Sequence, residues 1–461
     1  MTADKRVLFI NAVDPASEIE NRYRPLWPAY LVSYFEKYAG MDKFSFLLAG
    51  SNIEKEMDLF KPHIVAISSV SQNYNYASKY AGIAKKHGCA VMIGGIHITY
   101  MPHCLTRDMD VGVIGEGEET FLELMNLYDR AGNFDPKDLG AVNGIVYHDG
   151  GQLVKTAPRN MLRSLDELPL PKRSLIGYQS HDYMFTSRGC PYKCVFCAST
   201  RFWDKARYAS AQNVVDEIRG LVENGVKVIS FYDDLFVANK ARLQNIAELI
   251  VAGGFQRHIR FTCSCRANTV TPDVVKALKA MNVVSVGMGL ESGCDRTLKY
   301  LKGHVTVNDN TQAINILKDA GIQANASFVI GAPDETEGEV MQTYSFIKSS
   351  SVDFFDVYVL TPLPGTPIWD EALNRNLVSN DMDWNILNIN FELNTDKAII
   401  MSNTLTRRQL LVLYKRFRRL RLYRILKALP GSPWIKDLPS VLRGILKEKI
   451  TRKVRSVLGK P

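Results

Sequence analysis

Three cysteines concentrate chemistry in one short stretch. Cys190, Cys194 and Cys197 lie within Thr186-Ser-Arg-Gly-Cys-Pro-Tyr-Lys-Cys-Val-Phe-Cys-Ala-Ser-Thr200, four and three residues apart. The apolar run Tyr183-Met-Phe185 before them reads as a short buried strand, and Gly189 and Pro191 open a loop. Thiolates are soft ligands that suit iron–sulfur clusters, zinc or copper(I). A closed zinc site asks for four ligands, and this stretch offers three. A four-iron cluster held by three cysteines leaves one iron free for another ligand. The plainer alternatives are a zinc knuckle or cysteines that are merely buried.

The Cys-x-x-x-Cys-x-aromatic-Cys pattern, with Phe196 just before the last cysteine, resembles the radical S-adenosylmethionine (SAM) enzymes. The resemblance implies a [4Fe-4S] cluster on the three cysteines. Its free iron would chelate the amino and carboxylate groups of SAM, with Phe196 near the adenine. It further implies an electron donor such as flavodoxin or ferredoxin.

Such a loop needs a scaffold, and residues 183–395 read as one. Apolar runs at 183–186, 228–232, 259–263, 283–290, 323–330 and 355–360 alternate with helical patterns such as 214–222 and 305–318. Six such units predict a partial (β/α)6 barrel, whose active residues lie at the carboxyl ends of the strands. Asp233 and Asp234 end the second strand. They resemble the Phe-x-Asp-Asp-x-Phe segment that, in cobalamin-type radical SAM enzymes, replaces the loop holding the SAM amino group; a helix N-cap pair is the structural alternative. Arg266 ends the third, and its fork suits the SAM carboxylate. Cys263 and Cys265 before it read as packing or pocket-wall residues. Glu291 ends the fourth and resembles the family glutamate that contacts SAM; a buried carboxylate there needs partners. Gly331-Ala-Pro-Asp-Glu-Thr336 resembles the family's Gly-x-Pro-Gly-Glu-Thr element near the adenosine, with Asp334 where glycine is usual. Pro364-Gly-Thr-Pro367 matches the family's loop after the sixth strand.

Residues 1–140 read as a second α/β unit, a doubly wound parallel, Rossmann-like sheet. Strand-like runs at 7–10, 44–48, 64–67, 90–93 and 111–114 alternate with helical stretches at 29–38, 74–86 and 118–128. Ligands of such sheets sit at the carboxyl ends of the strands. There the chain places Ser68-Ser69, Gly94-Gly95 and Gly115-Glu116-Gly117, small residues that let a ligand approach the backbone. Gly94-Gly-Ile-His-Ile-Thr99 and Gly115-Glu-Gly-Glu-Glu-Thr-Phe121 resemble the cobalamin-binding domain of one radical SAM branch, as does Arg24-Pro-Leu-Trp-Pro-Ala-Tyr-Leu31. The resemblance implies cobalamin contacts from Ser68, Ser69, Gly94, Gly95, His97, Gly115, Glu116 and Gly117. The Asp-x-His-x-x-Gly motif is absent, so the cobalamin is expected base-off, with no histidine on cobalt. For His97 a local hydrogen bond in a turn is the alternative; for Glu116 and Glu118, first-turn residues favoured by the helix dipole.

A hairpin with Asp149-Gly150-Gly151 at its turn and a proline-rich strap fill a linker over 141–182. Residues 396–461 form a basic helical tail. From Leu405 onward it carries 17 Lys or Arg against 2 Asp or Glu, a larger excess than the +9 of the whole chain. The catalytic body is therefore net acidic, which argues against a nucleic-acid enzyme. Leu410, Leu413, Tyr414, Phe417 and Leu420 share one helical face, as do Leu438, Val441, Leu442, Ile445 and Leu446. Helices packed on the barrel, or a segment drawn to anionic lipid, both satisfy that pattern.

The eight cysteines are too few for a disulfide-stapled secreted domain. Neither a signal peptide nor a membrane-spanning run is evident. The expected place is a reducing cytoplasm, with peripheral contact at the inner membrane surface open. The expected activity is C-methylation of a small-molecule or lipid substrate through a 5′-deoxyadenosyl radical and methylcobalamin. A radical cyclase or rearrangement enzyme without methyl transfer, and a non-catalytic cobalamin or iron–sulfur sensor, are the alternatives.

Overall fold

The computed structural model describes residues 5–15, 17, 21–40, 43–387 and 398–428. Two large sheets and a two-stranded ribbon hold its strands. The first is built from β1 (Lys5–Ala12), β2 (Phe44–Leu48), β3 (Ile64–Ser69), β4 (Ala90–Gly94), β5 (Val111–Val113), β6 (Ile145–Asp149) and β7 (Gln152–Lys155), in the order 2-1-3-4-5-6-7. The strands β1 to β5 run parallel. Their inner members are continuous apolar runs because both faces are covered. Val7, Phe9, Ile64 and Met92 pack under the helices Trp27–Ala39 and Glu118–Ala131. Leu8, Ile10, Val65 and Ile67 pack on the other side, against the helices Ile53–Phe60 and Tyr74–Lys86.

The sheet is mixed, not wholly parallel. The hairpin expected within the linker is β6–β7, and β6 pairs antiparallel with β5. It extends the first sheet because β5 is short and would otherwise leave its backbone groups unpaired at the edge.

The second sheet uses β8 (His181–Met184), then β11 (Val228–Phe231), β12 (Arg260–Cys265), β13 (Val283–Glu291), β14 (Gln323–Ile330) and β15 (Phe354–Val359), each parallel to its neighbour, with β8 and β15 as the edges. This is the expected partial barrel. Between its first two strands a small antiparallel ribbon forms from β9 (Ser187–Arg188) and β10 (Arg207–Tyr208). The first strand ends at Met184, two residues earlier than the apolar pattern predicts. From Phe185 the chain leaves the sheet, since the carboxylate of Asp233 takes the Thr186 and Ser187 amides.

The tail's described helix, Arg407–Ala428, buries Leu410, Leu413, Phe417 and Leu420 in the barrel core. Arg424 fastens it by donating to the carbonyls of Val352 and Ser350 at 2.8 and 2.9 Å. The second apolar set, from Leu438 to Leu446, lies outside the described residues. Among the described residues no helix is long and apolar enough to cross a membrane.

Candidate active site at the junction of the two sheets

The carboxyl ends of β3, β4 and β5 face the start of the barrel across a cavity of about 390 Å³. On the first sheet's side Ser68, Gly94, Gly95, Gly115, Glu116 and Gly117 line it, over an apolar floor that includes Trp27, Tyr30 and Phe121. On the barrel's side stand Phe185, Ser187, Arg188, Trp203, Tyr232 and Asp234. Six of the eight residues expected at cobalamin therefore share one wall.

The other two do not reach it. The Ser69 hydroxyl donates to the Val70 carbonyl at 2.8 Å. His97 is fully buried beside the cavity, with Nδ1 3.1 Å from the Ser71 hydroxyl and its ring against Tyr74 and Trp384. Burial lowers its pKa to about 3, so the ring is neutral. Its Nε2 has no partner.

The glycines behave differently from one another. Gly95 has φ +101°, and a Cβ there would stand 2.5 Å from the Ser69 carbonyl oxygen. A β-carbon at Gly115, with φ +81°, would meet nothing within 4 Å. One glycine is demanded by close packing of two loops; the other opens free space beside the wall. That space, together with the buried and unpartnered Ser187 hydroxyl, fits a broad ligand with polar edges.

The cysteine loop follows the ribbon strand β9. Cys194 is buried, while Cys190 and Cys197 are half-buried. Burial pushes Cys190 up to about 11, and the fields of Asp234, Cys194 and Cys197 add to it. Three sulfurs within one another's field suit a cationic cluster, which would deprotonate them. Among the described residues no three Cys, His, Asp or Glu side chains yet converge at metal-ligand spacing. The donors fit in kind: three thiols on one short loop, the soft ligands that iron–sulfur clusters take. Phe196 is half-buried against a core shared by both sheets.

Asp233 and Asp234 separate in role. Asp233 is buried, and its two oxygens accept from the Thr186 amide at 2.6 Å, the Ser187 amide at 3.1 Å and the Thr186 hydroxyl at 2.5 Å. Burial raises its pKa, and those hydrogen bonds with the Arg242 charge oppose the rise. Its lone pairs are spent on shaping the loop. Asp234 is exposed to the cavity and accepts from Ser199 at 2.7 Å.

Arg266 is also largely committed. It donates to the Lys302 and Gly303 carbonyls at 3.2 and 2.6 Å, lies 3.4 Å from the Cys194 sulfur, and stacks 4.1 Å over Tyr192. Its buried Nε stays unpartnered. Glu291 adopts φ +60°, a strained value for a side-chain-bearing residue at a site. Its carboxylate is raised by burial and faces Lys302 at 3.5 Å. Cys263 and Cys265 are buried among the helices outside the barrel, as packing residues.

Sequence reasoning missed the joint between the sheets. Arg188, next to the cluster loop, pairs with Glu116 and Glu118 at 2.5 Å each. Arg207 pairs with Glu116 at 2.9 Å. Burial raises the Glu116 carboxyl, but hydrogen bonds and charge from Arg207 and Arg188 outweigh it and hold it below the ordinary value. Both carboxylates and Arg188 stood in quoted motifs; only their distance in sequence hid the pairing. Tyr100 makes a second joint, donating to the Ala198 carbonyl at 3.2 Å while its ring occupies the space a side chain at Gly365 would need.

Comparison with known proteins gives the same two parts. The radical SAM superfamily model matches residues 184–347, and the B12 binding domain model matches residues 15–125. An uncharacterized methyltransferase of Pyrococcus horikoshii is 33% identical over 377 residues, which is 78% of this chain and 80% of that protein. An anaerobic magnesium-protoporphyrin IX monomethyl ester cyclase of Cereibacter sphaeroides is 26% identical over 454 residues, 93% of this chain and 72% of that one. Among solved structures, the radical SAM methyltransferase TsrM of Kitasatospora setae, bound to tryptophan and a SAM analogue, shares the fold at a TM-score of 0.67 and 16% identity, over 81% of this chain and 76% of that one. The radical SAM domain implies a [4Fe-4S] cluster and SAM, and the B12 domain implies cobalamin. The chain belongs to the cobalamin-binding family of radical SAM enzymes.

Proposed function

We propose that this enzyme transfers a methyl group to an unactivated carbon of a small molecule held between the two sheets. The observation that carries the reading is the cavity shared by a glycine-lined sheet end and the flanks of a three-cysteine loop. The methyltransferase relative at 33% identity supports it. Bound there, a cluster on Cys190, Cys194 and Cys197 would supply the electron for SAM cleavage, and a base-off cobalamin would supply the methyl group.

The chain's own residues position and shield. Asp233 holds the Thr186–Ser187 turn from which the cysteine loop departs. Arg266 donates towards the Cys194 sulfur and to the Lys302 and Gly303 carbonyls, which ties the cysteine loop to the barrel. Glu291 and Lys302 form the charged pair nearest to Arg266 and supply a site for the polar end of SAM. Phe185, Trp203 and Tyr232 exclude water from the reacting space. Ser68, Gly94, Gly95, Gly115, Glu116 and Gly117 would hold the corrin side chains. The domain limits proposed are 1–140, 141–182, 183–395 and 396–461. A reductant of the flavodoxin or ferredoxin kind completes the cycle.

Anaerobic reconstitution with iron, sulfide, cobalamin and SAM tests this. The expected outcome is 5′-deoxyadenosine together with a product heavier by one methyl group. A product of unchanged carbon count would favour a cyclase, the reaction named for the second relative.

The tail's outward stripe supports peripheral contact with anionic lipid at the cytoplasmic membrane face. Beside Lys415 and Arg419 it exposes Leu422, Tyr423 and Leu426. Phosphatidylglycerol vesicles should pellet the wild type and not a Lys415→Glu, Arg419→Glu variant; equal pelleting discards membrane contact.

A further inference from the structure

The three cysteines sit on a loop with a narrow neck. The ribbon strands β9 and β10 bracket the stretch 189–206, which carries all of them. In the ribbon's register Arg188 stands directly opposite Arg207. Like charges facing each other across an antiparallel pair push it apart. Both guanidinium groups lie over the Trp203 ring, at 5.6 and 5.4 Å, and stacking on one ring cancels neither charge.

The barrel grips the ribbon below this rung. Asp233 takes the Thr186 and Ser187 amides, and Arg242 donates to the Thr186 and Ala209 carbonyls at 2.7 Å each. The rung itself is closed from the other sheet. Glu116, in the turn between β5 and the helix Glu118–Ala131, is buried and bonds both arginines. Its Oε1 accepts from Arg188 at 2.5 Å and from Arg207 at 2.9 Å. Its Oε2 accepts from Arg207 at 2.9 Å and from the Leu162 amide at 3.0 Å. The roughly four acceptor positions of a carboxylate are then taken, so a corrin contact from Glu116 falls to its backbone. Glu118 adds a second carboxylate on Arg188, and two cations meet two anions.

We propose that Glu116 is a positioning residue of the iron–sulfur cluster: its carboxylate joins two arginines that would otherwise repel, and so holds the two ends of the cysteine loop side by side. The first sheet therefore helps to build the cluster site besides holding cobalamin. A joint that only welded the domains together would act on the cysteines through general stability alone. The proposal rests on the cluster lying on Cys190, Cys194 and Cys197, as in the reaction above.

Full-length protein is reconstituted with iron and sulfide but without cobalamin, so that no corrin contact enters. Bleaching of the cluster's visible absorbance by an iron chelator is then timed. Glu116→Gln should shorten the half-time about 10–100-fold, the range for losing an outer-shell partner. Adding Arg207→Gln removes one of the two repelling charges and keeps a donor for the Leu162 carbonyl, which Arg207 holds at 2.6 Å. The double variant should recover most of the loss, a coupling that independent sites do not show. Glu116→Asp keeps the charge but is one methylene short of both arginines. It should fall between wild type and Glu116→Gln, and it carries the test where Glu116→Gln does not fold by circular dichroism. Arg159→Met is the control. It breaks ion pairs of the same helix, those of Glu119 and Glu123, leaves both ribbon arginines paired, and should not change the half-time. An unchanged half-time in the folded Glu116 variants, a double variant no better than the single one, or an equal loss in Arg159→Met overturns the proposal. Wild-type protein that takes up no iron overturns the cluster reading, and this one with it.

Discussion

The two sheets meet their shared cavity in opposite ways. The first withholds side chains: Gly94, Gly95, Gly115 and Gly117 line its wall, and Gly115 leaves open space there. The second supplies them: Asp234 reaches the cavity, and Arg266, Glu291 and the three-thiol loop stand at or beyond its strand ends. A wide, flat ligand asks for absent atoms, whereas an inorganic cluster and a charged sulfonium ask for donors. The first region should therefore be damaged by addition and the second by removal. The contacts between the regions belong to neither class, since they are ion pairs of Arg188 and Arg207 and the Tyr100 hydrogen bond.

The largest effect tests the removal half. Alanine at Cys190, Cys194 or Cys197 should bring iron and sulfide to background. Reductive SAM cleavage should fall by more than the roughly 10–100-fold typical of losing an outer-shell partner. Full iron content in the triple variant would place the cluster elsewhere.

Next comes the joint. Glu116→Ala leaves Arg207 without its carboxylate and Arg188 with Glu118 alone, and the loss should be about 3–5 kcal/mol in urea unfolding. Because the folded carboxyl is held below its ordinary value, its contribution is present above the unfolded pKa and lost as pH falls through the folded one. The gap between wild type and Glu116→Gln should thus narrow in acid. A pH-independent gap would deny the ion pair.

Glu335 gives the opposite sign. Burial pushes its carboxyl up to about 7, against the Gly331 and Ala332 amides that pull it down. Its stabilising state is the protonated one, present below the unfolded pKa and lost as pH rises through about 7. Glu335→Gln should gain on the wild type above that pH, by up to about 3 kcal/mol. Melting curves on either side of neutrality check it.

The smallest effect tests the addition half. Gly95→Ala, with φ +101° and the Ser69 carbonyl in the way, should cost about 1–3 kcal/mol and weaken cobalamin binding. Gly115→Ala meets no atom and should cost about 1 kcal/mol, from its backbone conformation alone. Cobalamin titration with thermal melts would separate space from strain. Equal losses would remove the distinction.

Much of this was legible in the chain. The strand at Gln323–Ile330 and the helix at Tyr74–Lys86 stand where their patterns predict, because each is an apolar run bounded by polar or glycine residues. The hairpin's place on the first sheet was not, since an edge strand's partner is set by the unpaired backbone it meets and not by its own residues. Asp233 illustrates the same limit. Its type and strand-end position suggested a ligand, but the turn it serves lies 47 residues away.

Local sequence alone determined which groups are present and at which strand ends: soft donors at short spacing, glycines after strands and alternation along each run. These depend on neighbours within a few residues. Tertiary structure alone decided which of them face one another, that Glu116 grips Arg188, and that His97 lies outside the cavity lining. Those outcomes depend on which surfaces are buried together, and burial is a property of the whole chain.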